Sequence, residues 1–371
     1  MLFFKPHKYL GIDIGTSSIK LVELKKDGDR VTLNNYGELK IVDFMNVKTG
    51  KVDISRLSDK ELIDMIRQLL VATRTNIKNA IFSIPIFSSF VTLIDLPPMS
   101  DKELAESIPF EARKYIPVPT NEVQFSWSII EGFRQQSSSQ ALANLPASKG
   151  TSSEITSRVQ VLLVAVPNEI INRYKNIAKS AGLIAEFEVE AFSVVRSLIK
   201  KGIEDKGVVI IADIGAKSTD ICVVDNGFLR MSHNFETSGS SITKALSESA
   251  GLNQEKAEEF KIKKGIKLAS SEKLALDSIL PLIDMIIFEI QRIDTGYQRR
   301  TSGRKVQKII LSGGSANLPG LVDYISNQLG IVVTIADPFS KLSASSILNQ
   351  TLREIGPTFS VAVGLAERNL I

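Results

Sequence analysis

The chain of 371 residues carries 45 lysine and arginine against 41 aspartate and glutamate residues, a net charge of +4 that is too balanced to argue for nucleic-acid binding. Its single cysteine, Cys222, excludes an intrachain disulfide, and two histidines exclude a Cys/His zinc cluster and disfavour a conventional cysteine or histidine hydrolase. The length predicts two domains or one two-lobed unit, and without a secretory signal or a run of about 18 apolar residues we expect a cytoplasmic protein.

The first predicted elements form a meander of three strands, followed by a helix and a buried strand. The strands are "KYLGIDIG", "SIKLVELK" and "RVTLNNYGELKIV", and Asp27-Gly28 between the last two favours a hairpin turn. Apolar residues at helical spacing in "DKELIDMIRQLLVATR" predict the helix, and "NAIFSIP" predicts the buried strand. This order is typical of an α/β lobe.

Residues 88–187 do not follow this plan and predict a small α/β subdomain inserted in the first lobe. The block contains a strand "SFVTLIDLPP", a helix "DKELAESIPFEARKY", two strands "NEVQFSWSIIEG" and "RVQVLLVAVP", and a helix "NEIINRYKNIAKSAG". Within it, residues 134–157 are rich in serine, glutamine and alanine without apolar periodicity. This composition predicts a mobile loop with no required function.

The rest of the chain repeats the plan of its beginning. "GVVIIADIG" and "STDICVVD" predict strands, and Asn226-Gly227 predicts a hairpin into "FLRMSHNF". Helices are expected at about 239–250, 253–264 and 272–300. A strand "KIILSGG", a helix opening at Pro319, a strand "IVVTIA" and a helix after Pro357 complete the chain.

This duplication predicts two similar α/β lobes that face each other, with a ligand between them. The predicted boundaries are residues 1–87, 188–205 and 355–371 for the first lobe, 88–187 for the inserted subdomain and 206–354 for the second lobe.

One strand–turn–strand sequence occurs twice, with an aspartate before the turn each time. At a spacing of 200 residues, Asp13 aligns with Asp213 and Gly15 with Gly215. Glycine turns expose N–H groups that cradle phosphates, and carboxylates at strand ends can hold a hydrated magnesium ion. Two facing turns predict a clamp on a triphosphate, with Asp13 and Asp213 binding Mg²⁺ through water. The other candidate donors of the two turns are Thr16, Ser17, Ser18, Lys20, Lys217, Ser218 and Thr219.

A third glycine motif supports a nucleotide site. "IILSGGSANLPGL" places Gly313-Gly314 between a strand and a helix, where adjacent glycines allow close approach of a flat ligand such as adenine. A single Asp-x-Gly turn is typical of ordinary hairpins, and an aspartate bonded to its own backbone is the alternative for Asp13 and Asp213. Two such turns together with the third motif favour nucleotide binding.

The three motifs resemble the phosphate 1, phosphate 2 and adenosine motifs of the actin-like ATPase superfamily, which includes MreB, FtsA and the DnaK-type chaperones. The resemblance implies two duplicated ribonuclease-H-like lobes flanking a nucleotide cleft. "FEVEAFSVVRSL" resembles the first connecting helix and "TFSVAVGLAERNL" the second. By this resemblance Glu190 orients the attacking water, although a solvent-facing glutamate in a first helical turn is nearly as good an interpretation.

"EKAEEFKIKKG" resembles the segment that the superfamily places around the nucleoside. The resemblance implies that Glu258 contacts the ribose and that Lys261 lies on the adenine side. Glutamate–lysine pairs at this spacing often provide only surface support, which is the alternative here. The same pattern assigns two more residues to the nucleotide, Gly239 and Ser315.

"FFKPHKYLGIDIGTSSIKLVEL" together with "IPFEARKYIPVPTNEVQFSW" is similar to the PilM family of type IV pilus assembly, over nearly the whole chain outside 134–157. The resemblance implies a cytoplasmic scaffold at the inner face of the inner membrane that binds ATP (or ADP) and Mg²⁺ and hydrolyses ATP slowly at most. It also implies partners: other pilus-platform proteins and the N-terminal tail of a PilN-like membrane protein, held as an extended peptide between the first lobe and the insert, which would be a 1C-type subdomain. We expect that peptide on the faces of 88–96 and 103–118.

Two other functions stay open. A small-molecule (sugar) kinase of the superfamily needs a catalytic carboxylate facing a polyol pocket, and the sequence offers no obvious candidate. A filament-forming division protein of the FtsA type continues into a linker and a membrane-targeting helix, whereas this sequence ends at Ile371, near the expected end of the second connecting helix. Weak self-association is compatible with each of these functions.

Overall fold

The computed structural model describes residues 7–49, 57–116, 118–130, 159–199, 207–267, 273–301 and 303–370. Its strands are β1 (His7–Ile14), β2 (Ser18–Asp27), β3 (Arg30–Lys40), β4 (Asn79–Ile84), β5 (Phe90–Leu96), β6 (Val123–Ile129), β7 (Val159–Pro167), β8 (Ile184–Val189), β9 (Val208–Ile214), β10 (Thr219–Asp225), β11 (Phe228–Phe235), β12 (Val306–Ser312) and β13 (Val332–Ile335). Its helices are α1 (Ile41–Thr49), α2 (Asp59–Ala72), α3 (Asp101–Ala112), α4 (Asn168–Ser180), α5 (Glu190–Leu198), α6 (Gly239–Ala250), α7 (Gln254–Lys264), α8 (Lys273–Arg300), α9 (Leu321–Leu329) and α10 (Asn349–Glu367).

Two five-stranded sheets have the same strand order and the same strand directions. The first is β3-β2-β1-β4-β8 and the second is β11-β10-β9-β12-β13. In each, an antiparallel meander is followed by two parallel strands. Asn226 and Gly227 both have positive φ in the β10–β11 turn, as a two-residue hairpin of right-handed twist requires. The predicted α/β fold with duplicated lobes is confirmed.

Two helices, α5 and α10, pack directly against each other beside the first sheet. A Cβ added to Gly364 would lie 1.8 Å from the Ser193 carbonyl oxygen, so this crossing requires glycine. Helix α10 also covers the meander: Phe359 and Val363 share an apolar cluster with Val22 of β2. The second sheet is covered by α6, α7, α8 and α9 around a separate core.

Residues 88–171 form a compact unit distinct from the rest of the chain. Its antiparallel sheet has the order β5-β7-β6, and α3 packs on one face through a core that includes Leu104, Ile108 and Leu163. Ser100 begins α3 with a capping box to Glu103.

The larger unit takes in the chain from residue 172 onward, so residues 172–187, assigned to the insert from the sequence, lie with the two large sheets. The physical reason is the pairing of β8 with β4, in register from Asn79–Ile184 to Ile84–Val189. The exact lobe boundaries otherwise stay a prediction, and the segment 134–157 lies outside the described residues. In the part of the chain that the structure describes, no helix has both the length and the apolar character to cross a membrane.

Candidate functional site

The first glycine turn joins β1 to β2 and fixes a buried aspartate. The Gly15 N–H donates to the Ser18 carbonyl oxygen at 3.1 Å, which closes the turn. Asp13, 6% exposed, accepts a hydrogen bond at Oδ1 from the Ser83 hydroxyl (2.9 Å) and lies opposite Lys20 in the β1–β2 register. Burial raises the pKa of the Asp13 carboxyl, and the Lys20 ammonium and the Ser83 hydroxyl oppose that rise.

The second turn, between β9 and β10, has the same backbone geometry and different neighbours. The Gly215 N–H donates to the Ser218 carbonyl oxygen at 3.0 Å, and a Cβ on Gly215 would lie 2.9 Å from that oxygen. Asp213 lies opposite Asp220, a second acid, in the strand register. Burial raises the pKa of Asp213 to about 7, and repulsion from Asp220 and Asp13 adds to the rise.

Each turn adjoins a row of four polar side chains that crosses its sheet from strand to strand. The rows are Ser83, Asp13, Lys20 and Glu38 in the first sheet, and Ser312, Asp213, Asp220 and Asn234 in the second. Glu38 Oε1 is 3.8 Å from Lys20 Nζ, and Asn234 Nδ2 donates to Asp220 Oδ1 at 2.7 Å. The two rows occupy equivalent positions in their sheets, but the first contains a lysine and the second does not.

Glu190 is the first residue of α5 and joins the same electrostatic cluster. The Ile86 N–H donates to Glu190 Oε1 at 2.8 Å. Burial raises the pKa of Glu190 well above its ordinary value, with repulsion from Asp220 and Asp13 adding to it. Burial also raises the pKa of Asp220 to about 6, against the hydrogen bond from Asn234. Four carboxylates from both halves are therefore near one another.

The residues expected at the nucleoside form a network between α6 and α7. Lys261 is buried, and its Nζ lies 2.7 Å from Glu258 Oε2, 3.1 Å from the Gly239 carbonyl oxygen and 3.0 Å from Thr243 Oγ1. The Gly239 N–H in turn donates to the Gly215 carbonyl oxygen (2.9 Å). All three ammonium protons of Lys261 are engaged within the protein, whereas the Glu258 side chain is 46% exposed. The ammonium group of Lys261 is thus held within the protein, and the position of Lys261 on the adenine side stays a prediction.

The Gly313-Gly314 pair follows β12 and combines a tight approach with open space. Gly313 has φ +87°, and an added Cβ would lie 2.4 Å from Asp213 Oδ1. Gly314 is exposed, and a Cβ there would meet nothing within 4 Å. Ser315 is buried, and its N–H donates to the Ile214 carbonyl oxygen (3.3 Å). A ligand can thus approach the backbone beside Asp213.

The remaining predicted donors differ in accessibility. Ser17 and Lys217 are exposed at the turn tips, and Thr16 and Ser218 are half-buried. Thr219 is fully buried and donates its hydroxyl to the Thr237 carbonyl oxygen (2.6 Å), so it supports the turn from inside.

Five members of the two rows were not among the predicted site residues: Ser83, Glu38, Ser312, Asp220 and Asn234. The 200-residue spacing that relates Asp13 to Asp213 also relates Lys20 to Asp220, so that signal was present. Ser83 had a weaker signal, since the serines that begin "SIPI" and "SGGS" both lie at the end of a buried strand. Nothing in the sequence linked Glu38 or Asn234 to the turns, because strand register decides their position.

The acids do not form a conventional metal site. Among the described residues, no group of three or more histidine, cysteine, aspartate or glutamate side chains is arranged to hold a metal ion directly. Burial raises the pKa of Asp13, Glu190, Asp213 and Asp220, and repulsion between the acids adds to the rise for Glu190 and Asp213.

The two sheets of identical order, the repeated glycine turns and the crossing helices define an actin-like ATPase fold. The chain is similar to a solved PilM-PilN type IV pilus biogenesis complex, with a TM-score of 0.78, 24% identity and 98% coverage of both chains. It is also similar to ethanolamine utilization protein EutJ from Carboxydothermus hydrogenoformans, with a TM-score of 0.52 and 17% identity over 98% of this chain and 90% of that one.

Sequence relatives fall in the same class. Cell division protein FtsA of Streptococcus pneumoniae serotype 2 (strain D39 / NCTC 7466) is 24% identical over 397 residues, which cover 92% of this chain and 82% of that protein. Residues 11–370 match the family model of type IV pilus assembly protein PilM, and the chain belongs to this family.

Proposed function

We propose that the protein is an ATP-binding scaffold of the type IV pilus inner-membrane platform. The observation that carries the proposal is the family match over residues 11–370, in a chain whose two glycine turns have matching geometry and adjoining acids. In this proposal the protein lies in the cytoplasm at the inner membrane and is held there by a PilN-like partner and other platform proteins.

The two turns are proposed to hold the phosphates of ATP from opposite halves. Turn amides and Lys20 supply donors and positive charge, and the open space at Gly314 accommodates the nucleoside. Glu258, half-exposed on α7, is accessible to the ribose hydroxyls. Lys261 supports this side from within by holding Gly239, whose N–H is bonded to the second turn.

Asp13 and Asp213 are proposed to hold a hydrated Mg²⁺, which when bound would offset negative charge on the phosphates. Glu190 has one oxygen fixed by the Ile86 N–H, and its Oε2 has no hydrogen-bond partner among the described residues. That oxygen is suited to accept a hydrogen bond from a water molecule. We propose slow ATP hydrolysis at most.

The peptide of the PilN-like partner is proposed to bind on the insert, at the faces of 88–96 and 103–118. The PilM relative was solved in a complex with PilN, which supports the kind of partner. In the described residues, β5 pairs with β7 on one side and with no strand on the other. A free strand edge suits an extended peptide, because main-chain hydrogen bonds supply affinity.

Two titrations test these proposals. Calorimetry with ATP and Mg²⁺ should show binding to the protein and none to Asp13→Ala, and unchanged affinity in that variant would rule out the assigned pocket. Titration with a short N-terminal peptide of a PilN-like protein should show binding at the insert. Absence of peptide binding, together with phosphate transfer to a small molecule, would favour the kinase alternative.

An FtsA-like filament protein is the second candidate, because FtsA relatives align with 92% of this chain. Sedimentation with and without ATP distinguishes the scaffold from a filament-forming protein. A scaffold stays a small species that binds the peptide, whereas a filament protein sediments in an ATP-dependent manner.

A further inference from the structure

The carboxyl-terminal ends of β4 and β12 occupy equivalent places in the two sheets, and each carries a serine, Ser83 in β4 and Ser312 in β12. β4 lies beside β1 as β12 lies beside β9, so Ser83 adjoins Asp13 as Ser312 adjoins Asp213. The residues that follow differ: "IPI" after Ser83 and "GGS" after Ser312.

The two serine hydroxyls serve different partners. Ser83, 1% exposed, accepts from the Ile14 N–H (3.1 Å) and donates to Asp13 Oδ1 (2.9 Å). Ser312 instead faces α10, with its hydroxyl 3.1 Å from the Pro357 carbonyl oxygen and 2.9 Å from Ser360 Oγ. Among the described residues, Asp213 accepts no side-chain hydrogen bond.

Three residues beyond Ser83, the same segment fixes a second acid. The Ile86 N–H is bonded to Glu190 Oε1, although Glu190 belongs to a different element, α5. The corresponding segment of the second half turns through Gly313 and presents open space at Gly314. The end of β4 therefore holds two carboxylates, whereas the equivalent end of β12 leaves room for a ligand.

We propose that residues 83–86 are the positioning element of the site, in which the Ser83 hydroxyl orients Asp13 and the Ile86 N–H orients Glu190. The inference rests on the proposed Mg-ATP binding. A carboxylate that is fixed at one oxygen already has its other oxygen oriented before the ligand binds, so less conformational entropy is lost on binding. Ser83 and Ile86 act through these acids and are not themselves expected to touch the nucleotide.

The decisive comparison is Ser83→Ala with Ser312→Ala, which remove the same atom from equivalent buried positions. We measure ATP affinity by calorimetry with Mg²⁺ and again with EDTA. Ser83→Ala should lose about tenfold in affinity with Mg²⁺ and much less with EDTA, as expected for loss of a hydrogen bond to a charged group. Ser312→Ala should keep the gain in ATP affinity that Mg²⁺ provides. Ser83→Thr, which retains the hydroxyl, should show the same gain as the unmodified protein.

The Ile86 half of the inference has its own pair of variants. Ile86→Pro removes the N–H and Ile86→Val keeps it, while both alter the buried side chain. Ile86→Pro should lower the ATP hydrolysis rate at saturating Mg-ATP or, if turnover is undetectable, the metal-dependent gain in affinity. Ile86→Val should change neither.

Equal losses in Ser83→Ala and Ser312→Ala, or no loss in Ser83→Ala, would overturn the positioning role of Ser83. Equal effects of Ile86→Pro and Ile86→Val would overturn that of Ile86. If the unmodified protein bound no ATP, the proposed function would fail instead. Even then the carboxyl ¹³C resonance of Asp13, assigned through Asp13→Asn, reports on Ser83: it should shift in Ser83→Ala and not in Ser312→Ala, and an unmoved resonance would contradict the inference.

Discussion

Lys20 and Asp220 stand at equivalent positions in the two halves of the protein, each directly across a hairpin from an aspartate. Asp13 therefore has an ammonium group as its cross-strand neighbour, and Asp213 has a carboxylate. The duplicated backbone thus places a charge-balanced pair beside the first turn and a pair of acids beside the second.

Replacing Lys20 with methionine should weaken ATP binding about ten- to hundredfold, because hydrogen bonds to charged groups are worth about 1.5–3 kcal/mol. Lys217→Met is the matched control, since Lys217 lies exposed on the other turn and should lose less, with a stronger dependence on salt. Calorimetry at two salt concentrations measures both. A larger loss in the Lys217 variant would show that the second turn is the main phosphate contact.

Asp220→Asn should stabilise the metal-free protein at pH 8 while weakening Mg-ATP binding. The pKa of Asp220 is raised to about 6 in the folded state, above its ordinary value of 3.8, so the stability provided by its protonated form is complete below pH 3.8 and is lost as the pH rises through 6. The variant's advantage in Tm should therefore grow between pH 5 and pH 8 in EDTA. Glu259→Gln, on the surface of α7, should show no such trend.

Substitutions at the adjacent glycines Gly313 and Gly314 should have different effects, one on stability and the other on nucleotide binding. Gly314→Leu should leave Tm within a few degrees and abolish nucleotide binding, because the added side chain meets no protein atom within 4 Å at its Cβ and would fill the ligand's space. Gly313→Ala should instead lower Tm, since it combines a positive φ with a 2.4 Å approach to Asp213. Gly296→Leu, on open space in α8, controls for an added side chain; retained binding in Gly314→Leu would exclude this motif from the site.

Lys261→Met should reduce ATP and GTP affinity by the same factor and lower the free energy of unfolding by about 2 kcal/mol. The ammonium group of Lys261 is fully engaged with Glu258, Gly239 and Thr243, so its loss loosens α6 against α7 without removing a contact to the base. Calorimetry with both nucleotides and chemical denaturation provide the two numbers. A change in the ATP-to-GTP ratio would instead support a direct contact with adenine.

Glu367→Gln should raise stability at pH 8 and change little at pH 5. Glu367 is 4% exposed in α10, and burial raises its pKa to about 7 against the nearby Lys341 and Arg196. Stability from its protonated form is present below its ordinary pKa of 4.5 and is lost as the pH rises through 7, by about 3 kcal/mol at most. Glu354→Gln, exposed on the same helix, is the control; equal pH profiles of the two variants would contradict the assignment.

Local patterns in the sequence predicted most of the fold. Period-two spacing, helical spacing and the Asn226-Gly227 turn are properties of neighbouring residues, and they predicted the five strands of the second sheet and four of the five in the first. Strand β8 was not predicted, and Phe187–Val189, expected in the first connecting helix, lie in it. The end of the insert was less accessible, since the pairing of β8 with β4 joins residues about a hundred positions apart.

Only part of the candidate site could be predicted from local patterns in the sequence. The turns and glycines could be recognised, and their roles stay predictions. Ser83 and Glu38 are brought to Asp13 and Lys20 by pairing between strands, and the engagement of Lys261 depends on how α6 packs on α7. Such contacts between distant segments leave no local pattern.

The packing of α10 against β2 has a consequence for how the protein is made. Residues 207–335 contain all strands of the second sheet in one continuous stretch. The apolar cluster of the first sheet instead joins Val22 of β2 to Phe359 and Val363 of α10. The amino-terminal meander therefore gains this part of its core only once α10 has been synthesised.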